Sequence, residues 1–173
     1  MDAFPLPKVV DILADCAKGK IWSKMDMINS FFQTCVHPNY VHLTAMTTPF
    51  RLYEWLAMSM GLKNSPPIHQ HCMVAALQHL IGKICHVYLD DIIIWSDSVV
   101  EHTKHIDLVM KALAVAKPHL NPAKWAFYLL EVDFLGHHIS ARGMEPNSSK
   151  VKFFLNWPVP KNATDVCAFL GLV

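Results

Sequence analysis

The stretch His86–Trp95, HVYLDDIIIW, places two adjacent aspartates, Asp90 and Asp91, inside an apolar run that favours β-strand. Such a run belongs in a core, yet a buried ionised carboxylate is very costly unless it is paired, hydrogen-bonded or bound to a cation. If Ile84–Tyr88 and Ile92–Ser96 pair as a hairpin, the two aspartates lie at its tip, where they reach solvent or a cation. An aspartate in a turn also bonds its own backbone. The motif alone therefore leaves a structural role as open as a functional one.

Length and composition predict one intracellular domain. The chain has 173 residues, and its 15 Lys and Arg against 14 Asp and Glu give a formal net charge of +1. This near balance does not by itself indicate a nucleic-acid-binding protein. No apolar run approaches the roughly 20 residues that span a bilayer, and the N-terminus lacks the apolar segment of a signal peptide. We therefore expect an intracellular protein that is neither secreted nor inserted in a membrane.

The cysteines and histidines do not predict a zinc site. The five cysteines are odd in number and show no C-x-x-C spacing, so we expect free thiols in a reducing compartment. Histidine pairs such as His69 and His71 lack cysteine or carboxylate partners at ligand spacing, and ordinary surface or core histidines are expected there.

Hydrophobic periodicity predicts a mixed α and β chain. Helices are expected after capping patterns or where apolar residues recur at helical spacing, namely Val9–Ala17 ended by Gly19, Ser65–Gly82 capped by Asn64, a segment opened by Ser98 that ends before Pro118, and Asn162–Leu170. Strands are expected in short β-branched or aromatic runs, namely Ile21–Asp26, parts of Thr44–Leu56 on either side of Pro49, Ile84–Ser96 with a turn at Leu89–Asp91, and Val132–Ser140 entering a turn at Ala141–Gly143. The predicted class is α+β, a sheet with helices packed on it.

A second acidic strand end lies upstream, where Asp26 finishes the strand Ile21–Asp26. If that strand lies beside the hairpin in one sheet, Asp26 and Asp90 converge at the same edge, with Asp91 next to them. Three clustered carboxylates repel one another and attract divalent cations, and oxygen ligands at that density suit Mg²⁺. The chemistry that uses such a site is phosphoryl transfer with two metal ions about 3.5–4 Å apart.

The aspartates also carry a family resemblance. Tyr88-Leu89-Asp90-Asp91 matches the Y-x-D-D signature of reverse transcriptases, and VYLDDIIIWS resembles the version in gypsy-type long-terminal-repeat retrotransposons. Further blocks follow in the family's order, upstream in FPLPKVVDIL, WSKMDMINSFFQTCVHP and TTPFRLYEWLAMSMGLKNSPPIHQ, and downstream in LNPAKWAF, VDFLGHHIS and WPVPKNATDVCAFLGL. The resemblance covers essentially the whole chain. It implies an α+β right-hand polymerase palm, an antiparallel sheet with helices on one face, with partial fingers. It also implies a single reverse transcriptase domain fragment over residues 1–173, in which the thumb starts at about residue 162.

The resemblance assigns the three aspartates to catalysis. Asp26, Asp90 and Asp91 would hold two Mg²⁺ ions, with Mn²⁺ as a possible substitute. One metal ion would activate the hydroxyl at the primer end, and the other would hold the phosphates of the incoming nucleotide.

Three further residues gain substrate-binding roles from the resemblance. Phe31 matches the aromatic residue under the nucleotide sugar, where its shape would reject a ribose hydroxyl, although its pattern alone predicts a core residue. Gln70 matches a nucleotide-contacting glutamine, and its plain alternative is a helix-surface amide. Tyr88 would touch the primer end or pack as a strand aromatic.

A fourth matching segment, Phe134-Leu135-Gly136-His137, resembles the hairpin that grips the primer strand. There a small glycine lets one backbone approach another. We therefore expect primer contacts at Phe134, Leu135, Gly136 and His137.

The implied function is RNA-directed DNA polymerisation by a retrotransposon polyprotein. The expected partners are an RNA or DNA template with its primer, dNTPs, and the remaining fingers, thumb and RNase H segments of the parent polyprotein. Two alternatives stay open. One is a truncated, inactive remnant that binds nucleic acid or a partner, and the other is a DNA-templated polymerase or nuclease with the same carboxylate geometry.

Overall fold

A computed structural model describes residues 4–171 of the chain. The helices within this range are α1 (Val9–Cys16), α2 (Ser65–Leu77), α3 (Val99–Ala116), α4 (Ser148–Leu155) and α5 (Ala163–Leu170). The strands are β1 (Ile21–Asp26), β2 (Met46–Thr47), β3 (Leu52–Tyr53), β4 (Cys85–Tyr88), β5 (Asp91–Ser96), β6 (Ala126–Leu129), β7 (Glu131–Phe134), β8 (His137–Ser140) and β9 (Gly143–Pro146). None of the helices in this range is long and apolar enough to cross a bilayer.

The centre of the fold is a four-stranded sheet in the order β4-β5-β1-β6. Every neighbouring pair in it is antiparallel, which confirms the predicted α+β class. β1 and β5 pair along their full length, from Ile21 opposite Ser96 to Asp26 opposite Asp91. The short β2–β3 ribbon and the three-stranded sheet β7-β8-β9 are separate from it.

Both faces of the central sheet are covered. One face packs against α2 and α3 through a core that includes Met25, Ile92 and Leu113. The opposite face packs against α1 and the β7–β8 hairpin through a core that includes Trp22 and Ile93. Because successive strand residues point to opposite faces, a strand covered on both faces reads as a continuous apolar run. This explains the unbroken isoleucines of β5, all of which are fully buried.

The turn between β4 and β5 is one residue shorter than predicted. Its turn consists of Leu89 and Asp90, while Asp91 is already the first residue of β5 and pairs with Tyr88. Leu89 has a φ of 53°, in the left-handed region that two-residue hairpin turns commonly require. Asp90 therefore stands at the tip of the turn, and Asp91 stands on the sheet.

The prediction of one strand over Val132–Ser140 is wrong. The segment is itself a hairpin, and its chain reverses at Leu135 and Gly136, where φ is 47° and 80°. The apolar positions Val132 and Phe134 are out of phase with Ile139, and Gly136 lies between them. The turn lies within Phe134–His137, the segment that resembles a hairpin of the family. Helix α2 also differs, since it ends at Leu77 rather than Gly82 and Asn64 makes no capping hydrogen bond with its side chain.

The other predicted helix starts are confirmed. The Ser98 hydroxyl accepts a hydrogen bond from the Glu101 backbone N–H at 3.3 Å at the start of α3. The Asn162 side chain accepts one from the Asp165 N–H at 2.9 Å at the start of α5. Each contact satisfies a backbone donor that the first helical turn leaves unpaired.

Candidate active site

The three predicted catalytic aspartates meet at one edge of the central sheet. Asp26 ends β1 and Asp91 begins β5, and the two residues are direct cross-strand partners. Asp90 lies beside them, because its carbonyl accepts a hydrogen bond from the Met27 N–H at 3.3 Å. All three side chains are partly buried. The expected convergence of the two acidic strand ends therefore follows from the register of β1 and β5.

Two lysines compensate the charge of this edge. The Lys24 ammonium lies 3.1 Å from Asp91 Oδ1, and the Lys124 ammonium lies 3.4 Å from both carboxylate oxygens of Asp26. Like charges directly opposite each other on neighbouring strands are destabilising, so the two ammonium groups relieve the repulsion between Asp26 and Asp91. Positive charge therefore already lies beside two of the three carboxylates.

The donor chemistry of the edge fits a hard divalent cation. Carboxylate oxygens are the ligands that Mg²⁺ prefers, and Asp26 and Asp91 are adjacent across the sheet. Within residues 4–171, however, no three acidic, histidine or cysteine side chains are arranged to hold a metal ion. Two of the three carboxylates are instead paired with lysines. Assignment of a metal site to Asp26, Asp90 and Asp91 therefore remains a prediction, supported by donor type and by position.

Phe31 lies on a 3₁₀ turn, Ser30–Gln33, that follows β1. Its ring packs on the His69 ring of α2, with centroids 5.4 Å apart. His69 is 4% exposed, and burial lowers its pKa, while the Asp90 carboxylate and the Leu89 carbonyl oppose that shift. Phe31 is thus supported by a neutral ring that is close to the acidic turn. Its predicted contact with the nucleotide sugar stays a prediction.

Gln70 is fully buried on α2, so the alternative of a helix-surface amide is wrong. Its Nε2 donates to the Val87 carbonyl at 2.9 Å, and its Oε1 accepts from the Leu89 N–H at 2.7 Å. Both ends of the amide are therefore engaged by the hairpin that carries Asp90. The predicted nucleotide contact stays a prediction, and the structure adds a role that the sequence pattern did not indicate.

Tyr88 and the β7–β8 turn lie near the same edge. Tyr88 is partly buried, pairs with Asp91 and packs against the core on the α1 face. Phe134 is buried in that core, and the Lys24 ammonium lies 5.8 Å from the centre of its ring. Lys24 therefore connects Asp91 to the hairpin predicted to grip the primer. Primer contacts at Tyr88 and at Phe134, Leu135, Gly136 and His137 stay predictions.

Neither lysine is predicted from the sequence as a partner of the aspartates, although one of the two contacts has a local signal. Lys24 stands two residues before Asp26, so strand alternation puts both side chains on one face. Lys124 lies 98 residues after Asp26 in the chain, and no local pattern predicts the contact between them.

Together these features define a class of protein. An antiparallel sheet with helices packed on it, and with acidic residues at the adjoining ends of two central strands, is the palm of a right-hand polymerase. A family model described as "Reverse transcriptase (RNA-dependent DNA polymerase)" matches residues 2–139. The chain belongs to the reverse transcriptase family.

Relatives and solved structures agree with this assignment. Over 171 residues, or 99% of its length, the chain is 39% identical to the retrovirus-related Pol polyprotein from transposon 297 of Drosophila melanogaster. It is 33% identical to the corresponding polyprotein from transposon gypsy of the same species, again over 99% of its length. The chain spans only 16% of each polyprotein. A structure of the foamy viral protease-reverse transcriptase in complex with RNA/DNA hybrid matches 98% of this chain and 23% of that one, with a TM-score of 0.86 and 27% identity.

Proposed function

We propose that this chain is the palm, with partial fingers, of an RNA-directed DNA polymerase that extends a primer with dNTPs. The observation that carries the proposal is the register of β1 and β5, which sets Asp26 opposite Asp91 and brings the Asp90 turn beside them. This edge is the place where a two-metal nucleotidyl transfer requires its carboxylates. Family membership supports the reaction type, and the relatives are retrotransposon polyproteins.

Each residue of the site has a proposed task. Asp26, Asp90 and Asp91 hold the divalent cations, for which Mg²⁺ is the proposed physiological ion. When bound, the cations would polarise the phosphates and lower the pKa of the attacking hydroxyl. Lys24 and Lys124 are ion-paired with Asp91 and Asp26, and a divalent cation would compete with these ammonium groups for the two carboxylates.

The nucleotide and primer occupy the surfaces around this edge. Phe31, supported by His69, forms the surface under the sugar and excludes a 2′-hydroxyl by shape. Tyr88 and the Phe134–His137 turn hold the primer end against Asp91, and Lys24 connects the two elements.

The proposed partners follow from the family. The template is RNA or DNA with an annealed primer, as in the RNA/DNA hybrid bound by the foamy viral protein. The remaining fingers, thumb and RNase H segments of a parent polyprotein are also proposed partners, because the chain spans 16% of its relatives' length. The reaction takes place inside the cell, where templates and dNTPs are available.

Primer extension on an RNA template tests the proposal. The wild type is assayed with dNTPs and Mg²⁺ beside the double variant D90N/D91N, and D97N serves as a matched control at the opposite end of β5. We expect extension by the wild type and D97N and none by the double variant. A folded wild type that fails to extend would contradict an active polymerase and favour the remnant alternative. Equal extension by the double variant would exclude these carboxylates from the reaction.

A further inference from the structure

Strand β4 is the lateral edge strand of the central sheet within residues 4–171, since β5 is its one neighbouring strand and an isolated bridge from Ile81 reaches only Cys85 at its start. The backbone groups on its free side need partners from elsewhere in the fold, because an unpaired buried N–H or C=O costs free energy. Two of these groups lie where β4 enters the Leu89–Asp90 turn, the carbonyl of Val87 and the N–H of Leu89. They are two residues apart, so they point to the same side of the strand.

The Gln70 side chain satisfies both groups. A primary amide carries a donor and an acceptor at one end, and here Nε2 donates to the Val87 carbonyl at 2.9 Å while Oε1 accepts from the Leu89 N–H at 2.7 Å. This is the pairing that a neighbouring strand would supply. The amide is 0% exposed, so water does not compete for either bond.

The two bonds hold the backbone that leads directly into the strained part of the turn. Leu89 has a φ of 53°, which costs a non-glycine residue free energy that its surroundings must offset. Asp90 follows directly.

We infer that Gln70 is a positioning residue, which fixes the Leu89–Asp90 turn by acting as a one-residue strand on the free edge of β4. We call the two hydrogen bonds from Gln70 to Val87 and Leu89 the brace. The inference rests on the proposed function only for its effect on catalysis, because the brace itself is a property of the fold. It differs from the predicted nucleotide contact, because the amide is fully buried and both its Nε2 and its Oε1 are hydrogen-bonded to the backbone of β4 and its turn.

Hydrogen exchange at the Leu89 amide tests the brace without requiring activity. Q70M keeps the shape of the side chain and removes both bonds, and Q78M, an exposed glutamine just after the same helix, is the matched control. We expect the Leu89 N–H to exchange roughly 5- to 100-fold faster in Q70M than in the wild type or Q78M. The Val109 amide, in the core of α3, reports global folding.

The variant Q70E separates hydrogen bonding from packing, because the pH dependence of Leu89 exchange in this variant follows the two hydrogen bonds and not the volume of the side chain. Below the pKa of the introduced carboxyl, which burial raises, its O–H donates to the Val87 carbonyl and its C=O accepts from Leu89, as the amide does. Above that pKa a carboxylate faces the Val87 oxygen. We expect Leu89 protection, corrected for intrinsic exchange, to be near that of the wild type below that pKa and lost above it, in a series of pH values that spans the raised pKa. Q78E should show no such pH dependence.

Steady-state kinetics then separates positioning from substrate contact. Positioning predicts that Q70M lowers kcat about tenfold or more while KM for dNTP changes less than about twofold. A nucleotide contact predicts the reverse. Unchanged Leu89 exchange in Q70M, or pH-independent exchange in Q70E, would overturn the inference. Inactivity of the wild type would refute the proposed function and leave the exchange result to decide on the brace.

Discussion

Acidification from about pH 7.5 to about pH 5.0 should cost this domain about 2 kcal/mol of stability through one buried histidine, His102. The ring lies on α3 and is 0% exposed. Its Nε2 is 2.7 Å from the Ser23 hydroxyl of β1, and its Nδ1 is 2.9 Å from the Ser96 hydroxyl of β5. Burial, with a smaller contribution from His105, lowers its pKa from 6.5 to about 4.

The sign of the effect follows from proton uptake in the two states. In the unfolded chain the imidazole binds a proton near pH 6.5, whereas in the folded chain it stays neutral until about pH 4. Between these values the unfolded state binds more protons, so stability falls as the pH falls. Each pH unit in that window costs about 1.4 kcal/mol. The window between about pH 6.5 and 5.0 therefore accounts for about 2 kcal/mol.

Urea unfolding followed by tryptophan fluorescence measures this effect, because Trp22 and Trp95 are buried in the sheet. H102Q keeps a donor and an acceptor at the site but does not titrate. The wild type should lose about 2 kcal/mol more than H102Q between the two pH values. H138Q provides a contrast of opposite sign, because Asp133 raises the pKa of His138, and its removal should enlarge the acid loss. If wild type and H102Q lose the same stability within about 0.5 kcal/mol, the assigned role of His102 burial is wrong.

Three further predictions concern the sheet and the site. G19A should lower the free energy of unfolding by about 1–3 kcal/mol, because an added Cβ would lie 2.8 Å from the Trp95 Cβ. G61A is the control, since its added Cβ would meet nothing within 4 Å. Equal melting temperatures for the two variants would refute the close approach at Gly19. In primer extension, F31V should raise the ratio of ribonucleotide to dNTP incorporation by about tenfold or more. F32V, at the exposed neighbouring position, should leave this ratio unchanged. An unchanged ratio in F31V would exclude Phe31 from sugar selection. K24M should tighten Mn²⁺ binding by about 1.5- to 5-fold, because it removes an ammonium group 3.1 Å from Asp91 Oδ1. K18M, which removes an ammonium group paired with Asp15, should leave the Mn²⁺ affinity unchanged. Weaker Mn²⁺ binding in K24M would contradict the role of Lys24 as a counter-ion.

The elements that the sequence predicts well are those set by local patterns. The apolar run of β1, the hairpin that carries Asp90, and the caps at Ser98 and Asn162 each depend on neighbours a few residues apart. Convergence of the acidic strand ends required only that β1 lie beside β5. By contrast, the prediction of one strand over Val132–Ser140 passes over the turn signal at Gly136 and the change of phase between Phe134 and Ile139.

The features that escaped prediction depend on tertiary contacts. Gln70 reads as a polar residue on a helix, and only the packing of α2 against the edge of β4 reveals that its amide bonds Val87 and Leu89. Lys124 reaches Asp26 through the path of the chain between α3 and β6. Such contacts have no period and no fixed spacing, so sequence alone does not specify them.

The central claim is that Asp26, Asp90 and Asp91 form one divalent-cation site. Titration of Mn²⁺, followed by electron paramagnetic resonance on wild type, D90N and D97N, tests it most directly. The account predicts that D90N keeps the melting temperature of the wild type and loses at least about tenfold in Mn²⁺ affinity, whereas D97N binds as the wild type does. Equal Mn²⁺ affinity in a folded D90N and in the wild type would contradict a shared site at this edge of the sheet.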